Sequence, residues 1–474
     1  MPPMKKITLV LLLCFSPLAS SEGLPDLGDV SQTSLSPAQE RQIGQQSMLQ
    51  IRASRQFLDD PEVNDYLNQL GSKLVEFSGE PSLGFEFFAM NDEAVNAFAM
   101  PGGFVGVNVG LLLITQSESE LASVLGHEIA HVTQHHYARL LNGTKGDGLA
   151  SMAAIAVAIL AARNNPQTAT AAIVGVQARA VQKQLDFTRV HEQEADRLGL
   201  DTLQKAGFNT HAMPEFLDRL QHATRLVEGN APNYLRTHPV TSERVADIEN
   251  RVSKQPYRLM QDSLDFQLVR SKLIAAQKTS ADALSYFEQA VHGEKFGNPI
   301  AQRYGLVLSL LRVQNIARAT LEMQQLQMLV KNNALIDTLA GRVKQANNAG
   351  DSLAFYRIAV QNYPQHRALA YAYAEALLQA NQPELASKML AERVNRYPAD
   401  TRLYQLQARA YAAQNKQLEH HQALAYSAAW QGNLAGAIEQ LEIAKHAGGN
   451  FYQMSIIESD LNELRDMLGV RGKK

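Results

Sequence analysis

A chain of 474 residues, 45% apolar and with a formal charge of −3, has material for two to four domains and is neither a disordered nor a collagen-like polymer. Its 44 Lys and Arg are matched by 47 Asp and Glu, which leaves no basic excess for binding nucleic acid. The single cysteine, Cys14, excludes a disulfide framework.

Residues 1–21 read as a secretory signal peptide: Lys5 and Lys6, an apolar core from Ile7 to Phe15, then Pro17 and the small residues Ala19, Ser20 and Ser21. The core is too short for a membrane span, and Leu13 before Cys14 does not suit lipoprotein cleavage. Removing this leader removes the only thiol, as suits an oxidising compartment. A polar lead-in runs to Ser36. Pro37 then opens a helix through Ile43 and Met48, and a second runs from Pro61 to Phe77 with Val63, Leu67, Leu70 and Leu74 at helical spacing.

The period then changes. Phe85, Phe87 and Ala89 alternate with Glu86 and Phe88, Asn91-Asp92 makes a turn, and residues 97–100 and 104–108 flank the turn Pro101-Gly102-Gly103. This small sheet either offers a free edge to an extended peptide or is a core hairpin without a ligand role.

Gly126-His127-Glu128-Ile129-Ala130-His131 carries H-E-x-x-H inside a helical stretch: Ser117 and Glu120 make a capping box, and Leu121, Val124, Leu125, Ile129 and Val132 recur at helical spacing. One helical turn stacks His127 and His131 on one face, as two ligands of a tetrahedral zinc, with Glu128 beside them as general base. A third ligand is needed. Tyr137 stands where a metzincin would place a histidine, and His135 and His136 are off that spacing, so both are expected to be exposed or to sit behind the ligands. Glu192 and Asp196, four apart in Arg189-Val190-His191-Glu192-Gln193-Glu194-Ala195-Asp196, share a helix face, so that Glu192 can bind zinc while Asp196 accepts an N–H from a liganding histidine. Glu194 and His191 are expected to point elsewhere, into solvent.

Between the metal motifs, residues 142–180 form an insertion: a Gly-containing stretch, an apolar run from Leu149 to Ala162, a break at Arg163-Asn164-Asn165-Pro166, and an Ala-rich helix. The apolar run is shorter than the roughly 18 to 20 residues that span a bilayer, so membrane contact is at most peripheral. It reads as a buried hairpin or as a mobile lid near the active-site mouth. Beyond a boundary near Pro256 the sequence is helical to its end. Tyr363-Pro364 and Tyr397-Pro398 recur at a spacing of 34, as do Ala340, Ala374 and Ala408, and Asn381 and Asn415. That is the tetratricopeptide period, and four to six repeats making a protein-binding superhelix are expected.

The H-E-I-A-H and E-Q-E-A-D segments, Asn96-Ala97-Phe98-Ala99-Met100-Pro101-Gly102-Gly103, and Thr237-His238-Pro239 with Arg244 together resemble the zinc metalloproteases of the HtpX and CAAX-prenyl-protease type. In its order of leader, protease and repeats, the chain resembles periplasmic members of Gram-negative bacteria. The resemblance implies a mainly α fold, a zincin domain of helices plus a small β-sheet over residues 22–255, followed by an α-solenoid of tetratricopeptide repeats over residues 256–474. It implies one Zn2+ per chain, Asn96, Ala97 and Phe98 on or beside the substrate edge, and His238 near the metal. There His238 either donates to the substrate oxyanion or plugs the fourth metal position, from which a loop containing Gly229 to Asn233 would let it withdraw. The implied substrates are unfolded or stalled outer-membrane beta-barrel proteins, with a chaperone-like role and docking of the repeats on the outer-membrane assembly machinery. The competing reading is a non-proteolytic scaffold or chaperone with a structural or vestigial metal site. It has no use for Glu128. With the repeats taken as a separate unit, a protease ending near residue 263 is expected to keep generic hydrolysis.

Overall fold

The computed structural model describes residues 35–143, 178–225, 233–293 and 297–469. The leader, most of the 142–180 insertion, and 229–232 of the loop before His238 lie outside the described residues. Helix α1 (Pro37–Ala53) begins with a full capping box between Ser36 and Gln39, with Pro37 in the first turn where its missing N–H costs nothing. Helix α2 (Pro61–Val75) is capped by Asp60, whose carboxylate accepts from the backbone N–H groups of Glu62 and Val63.

Strands β1 (Glu86–Met90), β2 (Ala97–Met100) and β3 (Phe104–Asn108) form one sheet in the order β1-β3-β2. The first two are therefore not a hairpin: β1 runs parallel to β3, and β2 pairs antiparallel with β3 across the Pro101-Gly102-Gly103 turn. Gly102 and Gly103 have φ of +76° and +90°, which only glycine adopts without strain. Both faces of β1 are covered. Phe87 and Ala89 face the main core with α2, whereas Phe88 and Met90 join Met48, Ile51, Met100 and Phe104 under α1. The outer edge of β1 is sealed by side chains: Asn68 accepts from Phe87 N–H and donates to Phe87 C=O, and Asn64 accepts from Ala89 N–H. That leaves β2, among the described residues, with a strand on one side only.

After the short helix α3 (Val109–Ile114), helix α4 (Glu118–Thr133) runs through the middle of this unit, buried along almost its whole length. Ser117 caps it by accepting from Glu120 N–H at 3.2 Å, but the Glu120 carboxylate accepts from Gln116 N–H and pairs with Arg219, so the capping box is half made. Helices α5 (His136–Gly143), α6 (Ala178–Lys205), α7 (Ala212–Arg225), α8 (Asn233–Thr237) and α9 (Ser242–Val252) follow. Helices α4 and α6 cross at Gly126 and Gly199. A Cβ on Gly199 would lie 2.9 Å from His127 N, so only glycine lets the two backbones approach this closely.

Twelve further helices among the described residues stack as six antiparallel pairs. The first pair is α10 (Leu264–Gln277) and α11 (Ser280–His292), the next α12 (Pro299–Arg312) and α13 (Ile316–Leu329), then α14 (Ala334–Asn347) and α15 (Ala349–Asn362). The last three are α16 (Arg367–Gln379) with α17 (Pro383–Arg396), α18 (Thr401–Ala413) with α19 (Gln417–Trp430), and α20 (Leu434–Ala447) with α21 (Phe451–Leu468). The 34-residue recurrences now have causes. Ala340, Ala374 and Ala408 are buried where neighbouring helices meet, and Asn381 and Asn415 take left-handed φ of 56° and 57° in the turn within a pair.

The array is not a detached unit. One continuous apolar core runs from Val63 to Val343, with Phe266, Leu268, Val269 and Leu273 of α10 packed into it and the rings of Phe266 and Tyr66 6.3 Å apart. Farther along, Arg367 pairs with Asp65 at 2.7 Å, and the Gly432 turn lies against the Leu49 carbonyl of α1.

Candidate metal centre

Helix α4 supplies His127, Glu128 and His131, α6 supplies Glu192 and Asp196, and the segment after α8 brings His238 over them. One ligand atom from each of His127, His131, Glu192 and His238 lies within 4.8 Å of the others. His127 Nε2 is 3.0 Å from His131 Nε2 and 3.3 Å from His238 Nδ1. The Glu192 carboxylate is 3.4 Å from each of the two α4 imidazoles and 3.0 Å from His238 Nδ1. A tetrahedron of zinc bonds to nitrogen and oxygen has edges of about 3.3 Å, so these separations fit the ion. The chemistry fits too, because lone-pair donors are crowded face to face in a buried pocket, an arrangement that a cation relieves.

The supports behind these groups explain their orientation. Asp196 Oδ1 lies 2.9 Å from His127 Nδ1, which keeps the Nδ1 proton there and leaves Nε2 free to bind. Asp196 is gripped in turn by Arg244, whose Nε and Nη2 donate to its two oxygens at 2.7 and 2.8 Å, while Nη1 donates to Pro239 O at 2.7 Å and lies 2.9 Å from Glu192. Arg244 thus ties the His238-Pro239 segment to α6. Tyr234 stacks on His238 with ring centroids 4.9 Å apart, and its N–H donates to Val95 O at 3.0 Å.

The electrostatics follow from burial opposed by charge. Burial opposes protonation of His127, but Asp196 and Glu192 outweigh it and push the imidazole up to about 10; a bound cation takes the place of that proton. Burial and the neighbouring His127 hold His131 well below its ordinary value. Glu192, although burial favours its neutral form, is held well below the carboxylate range by His238 and His127. Asp196 is likewise lowered against burial by His127 and Arg244. Glu128 is fully buried, neither carboxylate oxygen has a hydrogen-bond partner among the described residues, and His238 Nε2 stands 3.4 Å from the carboxylate.

A cleft of about 230 Å³ reaches these groups, lined by Phe98, Ala99 and Met100 of β2 on one side and by Glu128, His131 and His238 on the other. Of the three residues expected at the substrate edge, only Phe98 faces this cleft. Ala97 is fully buried, and Asn96 is buried with its side chain toward Thr237 and its carbonyl accepting from Asn108 N–H. His136 and His191, expected in solvent or behind the ligands, are both only 5% exposed, their rings stacked 4.1 Å apart at 9°, and Glu194 joins them through His136 Nε2 at 3.2 Å and Arg139 at 2.9 Å. Solvent exposure of His191 is therefore corrected, because α5 folds back over this face of α6, whereas the Glu194 side chain keeps 24% of its surface exposed. The one mark of Tyr234 in the sequence is its position four residues before His238, whose backbone N–H donates to the Tyr234 carbonyl at 2.7 Å.

Residues 61–252 match Peptidase family M48, and residues 339–410 match a tetratricopeptide repeat family. The chain is 32% identical over 427 residues to the "Beta-barrel assembly-enhancing protease" of Escherichia coli, covering 90% of this chain and 87% of the relative. It is 31% identical over 430 residues to the protein of the same name in Yersinia pestis, covering 90% and 88%. A more distant relative is the "Mitochondrial metalloendopeptidase OMA1" of Schizosaccharomyces pombe, 29% identical over 184 residues, 39% of this chain and 51% of the relative.

Proposed function

The chain belongs to peptidase family M48, and on that footing we propose that it is a periplasmic zinc endopeptidase with a role in outer-membrane protein assembly. It cleaves stalled outer-membrane beta-barrel proteins and assists, in a chaperone-like way, those still able to assemble. The observation that carries this reading is the donor cluster of His127, His131 and Glu192 beside the buried, unbonded carboxylate of Glu128. The leader pattern in residues 1–21 supports the location, and the division into 22–255 and 256–474 follows the change from protease motifs to repeats.

His127, His131 and Glu192 hold the ion, and Asp196 fixes His127 in the tautomer that binds. Zinc, when bound, would polarise the scissile carbonyl and acidify a water. Glu128 takes a proton from the attacking water and returns it to the leaving amine. The open side of β2 takes the substrate as an added strand, so that backbone hydrogen bonds hold it regardless of sequence while Phe98 meets its side chains. An unassembled barrel protein offers unpaired strands of this kind. The repeats dock on the assembly machinery.

Purified protein will contain about one zinc per chain, and chelation will abolish casein hydrolysis, reversibly on zinc return, while most helical circular dichroism remains. Full activity after exhaustive zinc removal would overturn the reading.

His238 closes the site at rest. Its Nδ1 stands with the three other donors while its Nε2 faces Glu128 at 3.4 Å, so the imidazole that fills the fourth corner also stands in front of the base. On this geometry His238→Ala will raise basal cleavage of a loosely folded substrate several-fold. A fall in kcat with unchanged zinc content would instead make His238 an oxyanion donor.

A further inference from the structure

The ligand His131 is held by a group with no part in the chemistry above. His136 Nδ1 lies 2.8 Å from His131 Nδ1, and at that distance one nitrogen must carry a proton and the other must not. His131 Nε2 is the atom directed at the donor cluster, 3.0 Å from His127 Nε2 and 3.4 Å from Glu192, so it must keep its lone pair and the ring's proton must sit on Nδ1. His136 therefore accepts at Nδ1 and carries its own proton on Nε2. That nitrogen has an acceptor waiting, the Glu194 carboxylate at 3.2 Å, which also accepts from Arg139 Nη1 at 2.9 Å. A single assignment of protons satisfies the whole row from Arg139 to His131.

We infer that His136 is the positioning residue for His131, selecting the tautomer that binds metal and fixing the ring through a row that ends at Glu194 and Arg139. This rests on the metal-centre reading above. Among the described residues no carboxylate stands at His131 Nδ1 as Asp196 does at His127, and His136 takes that place with a neutral ring. The device is built into the fold. His135 adopts a left-handed φ of 48° between α4 and α5, which turns the chain back so that His136, the first residue of α5, meets His131 from behind. His191, one residue before Glu192 on α6, stacks on His136 at 4.1 Å and fixes the plane of its ring. Positioning partners of this kind are worth about 10- to 100-fold in metal affinity.

The test uses the full chain, with zinc affinity read by competition against a chromophoric chelator and geometry read from the visible absorption of the cobalt(II)-substituted protein. His136→Leu keeps bulk but has no acceptor, and should bind zinc roughly 10- to 100-fold more weakly with a changed cobalt spectrum. His136→Asn places an amide oxygen where Nδ1 stood, and should recover most of the affinity and the wild-type spectrum. Equal affinity of the Leu variant and wild type, or an Asn variant as weak as the Leu variant, would overturn the inference. Should the Leu variant fail to fold, His136→Gln replaces it: its amide reaches the Nε2 position, so it should bind weakly where Asn binds well, and equal affinities count against the proposal. Metal binding by wild type that is lost in His131→Ala confirms the centre independently. A wild type that binds no metal overturns the centre and this inference with it.

Discussion

Glu128→Gln will lower kcat by about 10² to 10⁴ while leaving the protein folded and carrying its zinc. The carboxylate is fully buried at the end of the donor cluster, and neither oxygen is committed to a hydrogen bond, so it supports no structure that an amide of the same shape would break. The amide cannot take a proton from water. Its loss therefore falls on the chemical step alone, whereas Glu192→Gln removes a charged donor that lies 3.4 Å from both α4 imidazoles and should release the metal itself. Measuring zinc content beside single-turnover cleavage separates the two variants. A Glu128→Gln protein that cleaves at the wild-type rate would require another base. Support of barrel assembly that survives in this variant would establish a binding function separable from cleavage.

The difference between the parts of this site that could be read from sequence and those that could not lies in the range of the interactions. His127, Glu128 and His131 lie within one turn of a helix, and Glu192 and Asp196 within one turn of another, so periodicity alone assigned their faces. Their meeting depends on Gly126 and Gly199, which are neighbours only once α4 and α6 cross, and no local pattern marks that pair. The same limit explains His191 and Glu194. On an isolated helix they face away from Glu192, but α5 returns over that face, buries His191 and ties Glu194 to His136 and Arg139. The sheet shows a further limit: alternation marked the strands, but Asn91-Asp92 looked like a hairpin turn because the pairing of β1 with β3 is decided by α2, whose Asn64 and Asn68 seal the far edge of β1. The 34-residue period was visible because each repeat solves the same packing problem with the same small residues, Ala374 and Ala408 among them. The repeat pattern could not reveal how firmly the first helices of the array are joined to the protease.

A chain cut at residue 263 will not form a working protease, although the composition boundary near Pro256 makes that cut look natural. Phe266, Leu268, Val269 and Leu273 of α10 are buried in the same core as Val63, Leu67 and Leu70 of α2. Each large apolar side chain contributes roughly 1.5 to 3 kcal/mol by burial, so losing four removes on the order of 6 to 12 kcal/mol. A folded domain has only about 5 to 15 kcal/mol in total. Polar losses add to this. Arg270, which donates to Leu113 O, and Lys272, which pairs with Asp60 and the buried Glu62, are removed as well. Without α10, Glu62 also loses Lys272, its counter-ion. The continuous core ends at Val343, and the apolar clusters beyond it belong to later helix pairs. A fragment of residues 22–348 should therefore fold, bind zinc and hydrolyse casein within a few-fold of the full chain, while residues 22–263 should be expanded or aggregated and inactive. In cells the longer fragment should still fail to support barrel assembly, because it lacks α15 to α21. Casein cleavage by residues 22–263 at the full-chain rate would show that α10 only rests on the protease and that the shared core is not needed to hold the site.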